Sequence, residues 1–483
     1  MNNFLDHFLY DPKAPLLFNS GLFLFLFTIF LSVFALLEKP KKLRNLWTVA
    51  FSLFFYYKSS GYYFWILMAS TVVDYYLGIF IYQSPSKRSK KRLLLLSVFS
   101  NLGMLAYFKY TNFFVDILND FGTDIGTIDL FLPVGISFYT FQTLSYSIDV
   151  YRGDLPPERD FWNFSFYVTF FPQLVAGPIV RAIDFIPQLH KNLKVTKEDF
   201  GKAVFLIGNG LFKKAVISDY ISSNFVDRIF ENPTLYSGIE NLFSVYGYTL
   251  QIYCDFSGYS DMAIGIALLL GFHLPDNFNH PYTASSITEF WRKWHISLST
   301  WLRDYLYISM GGNRKSTFKT YRNLMLTMVF GGLWHGAHWK FVLWGALHGI
   351  ALCIEKFFMK YVSYQKTVLT KCIGWLLTFH LIAFAWVFFR AESYTMAIQM
   401  LQHIATNTVF SQSIEVVSAY QNIFIAIAIG YALHFNSQKL ISLYKNSIAI
   451  LPTPLKALYL SLIIWLSVQV SNTDVIPFIY FQF

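Results

Sequence analysis

Gly331-Gly332-Leu333-Trp334-His335-Gly336-Ala337-His338-Trp339 lies within a long apolar stretch, residues 323–354. Read as one membrane span, it carries a histidine between glycine- and tryptophan-rich turns. An ionisable side chain in hydrocarbon costs on the order of a few kcal/mol, so His335 is a candidate for function rather than filling. The pair Gly331-Gly332 is where such a span is expected to break, and irregular backbone at that depth requires burial in protein or a wet cavity.

The rest of the chain supports a membrane setting. Of its 483 residues, 55% are hydrophobic, 20% aromatic and only 14% charged, against roughly a quarter charged in an ordinary soluble domain. Stretches suited to crossing about 30 Å of hydrocarbon recur at residues 15–37, 46–57 (short), 61–82, 93–114, 131–151, 203–217, 241–272, 323–354, 372–389, 420–435 and 455–470. The expected fold is an all-α, polytopic membrane protein, one transmembrane domain over residues 1–483. Cys254, Cys353 and Cys372 have no paired metal or redox spacing and read as buried small hydrophobes. A cleavable leader is not expected, because the first apolar run ends in the basic stop Lys39-Pro40-Lys41-Lys42-Leu43-Arg44.

The formal net charge is +10, yet the cations punctuate the spans instead of forming a basic face, so nucleic acid is not an expected partner. The dense Lys/Arg groups at 39–44 and 87–92 place those loops in the cytoplasm and the amino terminus outside. Arg314, Lys315, Lys319 and Arg322 place the loop at 314–322 in the cytoplasm by the same rule. His335 lies thirteen positions beyond Arg322, on the order of 20 Å along a helix and so near mid-membrane.

Just before that loop, residues 288–305 read Thr-Glu-Phe-Trp-Arg-Lys-Trp-His-Ile-Ser-Leu-Ser-Thr-Trp-Leu-Arg-Asp-Tyr. Wound at 100° per residue, Trp291, Trp294, Leu298, Trp301, Leu302 and Tyr305 share one face, with Glu289, Arg292, Lys293, Arg303 and Asp304 opposite. This predicts an interfacial amphipathic helix, with His295 on the border of the faces, one turn from Ser299. His273, His280, His348 and His380 read as hydrogen-bonded packing residues. His335 and His338 have the i, i+3 spacing of a metal pair, but no carboxylate or cysteine lies nearby to complete a tetrahedral site, so no metal is expected. Phosphate-loop, zinc-helix and nucleophile-elbow motifs are absent from the sequence. What remains is a histidine that can take a proton near neutral pH.

Several runs in order then carry a resemblance: Phe171-Pro172-Gln173-Leu174-Val175-Ala176-Gly177-Pro178-Ile179, the segment from Tyr253-Cys254-Asp255-Phe256-Ser257-Gly258 to Gly265, Asn277-Phe278-Asn279-His280-Pro281-Tyr282, Phe290-Trp291-Arg292-Lys293-Trp294-His295, Gly332-Leu333-Trp334-His335-Gly336 and the closing Phe478-Ile479-Tyr480-Phe481-Gln482-Phe483. Together they resemble the membrane-bound O-acyltransferase family, in its bacterial alginate O-acetyltransferase-like branch. The resemblance implies a ring of about eleven or more transmembrane and re-entrant helices around a central funnel, a catalytic-motif region at 253–350, and His335 and His295 as catalytic residues.

It further implies transfer of an acetyl group from a cytoplasmic thioester such as acetyl-coenzyme A to an extracytoplasmic polysaccharide, with no bound cofactor. The implied partners are membrane lipid, the donor, the polysaccharide acceptor and a periplasmic or surface esterase-like protein of the SGNH type; the implied location is the bacterial inner membrane. On this reading His335 is the general base and His295 holds the donor or polarises its carbonyl. Arg292 and Lys293 attract the anionic donor, while Trp294, Trp334 and Ser299 line the tunnel. Oxyanion stabilisation by His295, indole N–H groups or backbone N–H groups stays open, as does a covalent acyl-histidine. D-alanyl or other acyl transfer to teichoic acid, lipid or protein is the alternative within the family. A proton-coupled transporter is the alternative of another class, which inverted repeats would favour; the sequence shows no convincing repeat.

Overall fold

A computed structural model describes residues 8–12, 14–175, 177–314, 316–361 and 367–470. Among them every regular element is helical. Lys315, Ala176 and the closing run 478–483 lie outside the described residues. The chain divides into two compact units, residues 1–203 with 263–275, and residues 204–262 with 276–483.

In the first unit, the helices Phe64–Gln83, Lys87–Leu105 and Ile136–Arg152 pack against one another. The last is buried on nearly all sides although it carries Ser137, Tyr139, Thr140, Gln142, Thr143, Ser145 and Ser147. Polar residues can occupy an interior helix when they find partners within the protein. Asp74 is such a case: fully buried, it accepts hydrogen bonds from Ser97 Oγ at 2.6 Å, Asn101 Nδ2 at 2.7 Å and Ser147 Oγ at 3.3 Å. Elsewhere in the unit, the Phe171 ring sits among Phe51, Phe30 and Phe55 with centroids at 5.1, 5.5 and 5.8 Å, which explains the aromatic start of the run at 171–179 as core packing.

The second unit holds a comparable polar core. Lys214 Nζ bridges Asp219 at 2.7 Å and Asp255 at 2.6 Å, while Lys213 pairs with Asp261 at 2.8 Å. Asp255 and Asp261 come from the helix Gly238–Leu269, whose residues through Met262 belong to this unit. Burying such charges is tolerable only because each is paired.

Five helical stretches among the described residues are long and apolar enough to cross a membrane: Lys41–Gln83, Lys87–Asp120, Trp339–Tyr361, Val368–Arg390 and Thr453–Val470. A sixth is reached if Phe410–Ala419 and Gln421–His434, bent by 99°, count as one. The apolar stretches of the sequence thus fall on helices, but several of those helices are too polar or too short to be called spans by composition alone.

Three local expectations are corrected. The stretch 323–354 is not one span but parts of two helices, Thr317–His335 and Trp339–Tyr361. Its break falls after His335, where Gly336 is extended, and not at Gly331-Gly332, which are helical. Of the cysteines, only Cys254 is buried; Cys353 is intermediate and Cys372 exposed. The short stretch 46–57 belongs to the longer helix Lys41–Ser60, because Lys41, Lys42 and Arg44 form its first turn instead of a loop.

Candidate active site

The helix Thr317–His335 starts where the Ser316 side chain accepts the Lys319 N–H, as an N-cap serine does. After His335 the chain turns through three residues, and His338 Nδ1 accepts the Lys340 N–H at 3.1 Å, opening the next helix. His338 therefore serves as a cap of that helix. The two helices form a hairpin with close backbone approach: a Cβ on Gly332 would overlap the Phe341 carbonyl oxygen, and one on Gly345 the Met328 carbonyl oxygen. The glycines read in the sequence as a break are, in the fold, what lets the helices touch.

That contact fixes His335. Its ring lies 5.0 Å from Trp334, 5.2 Å from Trp344 and 5.3 Å from Phe389, all edge-on, and the residue is 3% exposed. Such edge-to-face contacts with large rigid rings restrict the imidazole to few orientations. His335 also lines a cavity of about 600 Å³, together with Trp291, Ile296, Ser299, Met328, Gly331 and Trp344. This volume lies within the range of small-molecule sites. Three cations, Arg292, Arg303 and Lys356, share the lining.

Residues 288–305 do not form the continuous amphipathic helix that their pattern suggests. They divide into a short helix Ile287–Trp291, a turn, a second short helix Ile296–Trp301 and a π-helical stretch Leu302–Tyr307. The cause is His295, held in the left-handed region at φ 43° and ψ 56°. For a residue with a Cβ this conformation costs about 1–2 kcal/mol, so tertiary contacts must hold it. They do: the backbone carbonyl of Asn277 accepts the Ile296 N–H at 2.9 Å, and the carbonyl of Lys293 accepts the Asn279 N–H at 2.9 Å. The apolar side chains Trp294, Leu298, Trp301, Leu302 and Tyr305 are nevertheless buried, so the pattern identified inward-facing residues but not the backbone path.

His295 is fully buried and not on the cavity lining. It meets the site through Trp334, whose ring lies 6.0 Å from His295 and 5.0 Å from His335. The structure thus gathers both histidines around one indole. Trp294 packs deeper, stacked on Phe290 at 5.6 Å and against Trp386 at 5.0 Å, away from the lining residues. Ser299 does line the cavity, its hydroxyl donating to the Trp294 carbonyl at 3.2 Å.

Arg292 is on the cavity lining and Lys293 is not; the Lys293 Nζ is held by Glu289 at 2.7 Å and donates to Thr283 Oγ1 at 3.0 Å. Partial burial raises the Glu289 pKa, but the Lys293 contact and the Ser285 donors outweigh it and leave the carboxyl below its ordinary value.

Sequence reading missed Asn277, Trp344, Arg303 and Lys356. Trp344 and Lys356 stand one and four turns into a helix that had been read as the tail of a single span. Among the remaining histidines, His280 Nδ1 bonds the His434 carbonyl at 2.7 Å and His380 Nδ1 the Leu376 carbonyl at 2.8 Å, as packing residues do. His273 is exposed near Asp199. His348 departs from that expectation: it is buried against Trp344 at 4.6 Å and Trp291 at 5.1 Å, with no hydrogen-bond partner on either ring nitrogen in this structure.

Comparison with known proteins places the chain in a family. Residues 159–398 match the family model described as MBOAT, membrane-bound O-acyltransferase family, a segment that includes both His295 and His335. The chain is 45% identical over 397 residues to the probable alginate O-acetylase of Pseudomonas aeruginosa, covering 80% of this chain and 74% of that one. It is 39% identical over 418 residues to the peptidoglycan O-acetyltransferase of Helicobacter pylori, covering 80% and 79%. Similarity to the teichoic acid D-alanyltransferase of Bacillus subtilis is lower, 27% over 278 residues, covering 54% and 69%. With a matching family model across the site and this extent of identity to full-length relatives, the chain belongs to the membrane-bound O-acyltransferase family.

Proposed function

We propose that this protein is a membrane O-acetyltransferase that takes an acetyl group from a cytoplasmic thioester, acetyl-coenzyme A, and delivers it for O-acetylation of an extracytoplasmic polysaccharide. The observation that carries the reading is His335 on the wall of a cavity that also presents Arg292, Arg303 and Lys356. A base and an anion-attracting set of cations in one aromatic-walled space suit a phosphorylated thioester meeting a hydroxyl. The relatives named for alginate and peptidoglycan O-acetylation supply the substrate class.

In the proposed reaction His335 takes the proton of the acceptor hydroxyl as its oxygen attacks the thioester carbonyl. The new C–O bond forms, the C–S bond breaks, and the thiolate leaves with the proton returned from the imidazolium. Burial between Trp334, Trp344 and Phe389 keeps competing water from the carbonyl. The rest of the proposal follows the family resemblance: an inner-membrane location with the amino terminus outside, a cytoplasmic loop at 314–322, helices ringed about a funnel within one transmembrane domain, and an SGNH-type partner that completes transfer to the polymer.

The test is acetyl transfer from labelled acetyl-coenzyme A by the purified protein in lipid vesicles, with the SGNH-type partner and a soluble glycan supplied on the outer side. His335→Ala should lower the rate by a hundred- to ten-thousandfold, the usual worth of a general base, while the protein stays folded. A folded variant with near-parental transfer would refute the role of His335. Turnover of a carrier-bound D-alanyl thioester, with none of acetyl-coenzyme A, would replace this substrate assignment by the teichoic acid one.

A further inference from the structure

We propose that Asn277 is a positioning residue that holds His295 in the one neutral tautomer whose Nε2 accepts a hydrogen bond; the part played by His295 in transfer rests on the acyl-transfer reading above. The amide of Asn277 has one allowed orientation. Its Oδ1 lies 3.3 Å from the Ser297 backbone nitrogen, 2.9 Å from Ser297 Oγ and 3.0 Å from His295 Nδ1. A backbone N–H can only donate, so the atom facing it must be the amide oxygen; the reverse orientation would set two donors against each other. The other end agrees, since Asn277 Nδ2 donates to Ser260 Oγ at 3.1 Å.

With Oδ1 so assigned, the ring nitrogen at 3.0 Å must carry the hydrogen. A neutral imidazole has one N–H, and placing it on Nδ1 leaves the lone pair on Nε2. His295 therefore offers an acceptor from Nε2 and does not, as a neutral ring, donate from that nitrogen to a thioester carbonyl oxygen. Of the two roles that the family resemblance leaves for it, polarising the carbonyl is disfavoured. His295 is fully buried behind the cavity lining, 6.0 Å from the Trp334 ring that itself lies 5.0 Å from His335, so the role this tautomer suits is to hold that indole and the base beside it in place.

Asn277 also fixes the backbone. Its main-chain carbonyl takes the Ile296 N–H, so one residue sets both the left-handed turn at His295 and the ring's protonation. Eighteen positions separate the two residues, which is why no helical or strand periodicity links them.

The experiment compares Asn277→Ala and Asn277→Asp in the vesicle assay and reads the His295 tautomer by ¹⁵N imidazole NMR, assigned by the signal lost in His295→Gln. Asn277→Ala should lower kcat about tenfold or more with little change in the KM for acetyl-coenzyme A, because one hydrogen bond of this kind biases a two-state equilibrium by about that factor. Asn277→Asp keeps an oxygen acceptor at the same place and should restore most of kcat. The parent spectrum should show the proton on Nδ1.

A proton on Nε2 in the parent, or an Asn277→Asp variant as impaired as Asn277→Ala, would overturn the proposal. So would parental kcat in a folded Asn277→Ala variant while His295→Ala is inactive, and that result leaves acyl transfer itself standing. Full activity in both His295→Ala and His335→Ala would instead remove the catalytic reading on which the proposal rests.

Discussion

Replacing Gly345 by alanine should separate the hairpin that carries His335, the proposed base. The added Cβ would stand 3.0 Å from the Met328 carbonyl carbon and 3.1 Å from Val329 Cα, with the Met328 oxygen nearer still, whereas ordinary contact begins at 3.4 Å. These are backbone atoms of the facing helix and have no rotamer to escape into. The helices must part by roughly 1 Å, an overpacking that costs about 1–3 kcal/mol. Trp344 is the preceding residue and faces His335 at 5.2 Å, so the same movement displaces the proposed base. A misplacement of about 1 Å is worth on the order of a hundredfold in rate.

Gly103→Ala is the comparison, since nothing lies within 4 Å of its added Cβ; there the loss of unfolded-chain freedom should stabilise by about 0.4–1 kcal/mol. Denaturant titration in detergent measures the first effect and acetyl transfer in vesicles the second. If Gly345→Ala shifts the unfolding midpoint in the same direction as Gly103→Ala, or leaves transfer at the parental rate, close backbone packing is not what positions His335.

Two further outcomes follow from the buried charges. Lys214→Met leaves Asp219 and Asp255 facing each other without their shared cation and should destabilise by about 3–5 kcal/mol, read as loss of folded protein on size-exclusion chromatography; parental stability would mean that the pair is not held as a charged cluster. Glu289 has a folded pKa below its ordinary 4.5, so its contribution is fully present above that value and is lost as the pH falls through the lowered one. The stability difference between parent and Glu289→Gln should therefore be constant near neutrality and close on acidification below 4.5, and denaturation midpoints across pH would show a flat difference if neither the Lys293 contact nor the Ser285 hydrogen bonds contribute.

The sequence disclosed the parts of this protein that depend on local composition. Helical apolar stretches, His335 as an unusual group, and the inward set Trp294, Leu298, Trp301 and Tyr305 were all legible, because burial leaves its trace in hydropathy and spacing. The hairpin break was misplaced by a few residues because two glycines in an apolar helix signal either irregular backbone or close packing, and only the facing residues Phe341 and Met328 decide between them. The turn at His295 was invisible for the same reason at longer range: its strain is offset by Asn277, which no periodic template connects to it. Arg303 and Lys356 reach the cavity from separate elements, a coincidence of folding that one-dimensional charge patterns do not record.

The two backbone bonds that join Asn277 to Ile296 and Asn279 to Lys293 also govern how this segment tolerates change in length. They close residues 279–293 into a stem-bound loop, so a residue gained or lost inside it alters the loop while leaving the stem in register. A residue gained or lost between Lys293 and Ile296 has no such slack, since both bonds cannot then form together and the imidazole swings away from its amide. The loop has its own anchors, since Tyr282 is buried with its hydroxyl donating to the Thr249 carbonyl and the Thr288 N–H donates to Glu355, so a change in its length leaves the histidine two residues past the stem in place only if it is absorbed between those two points.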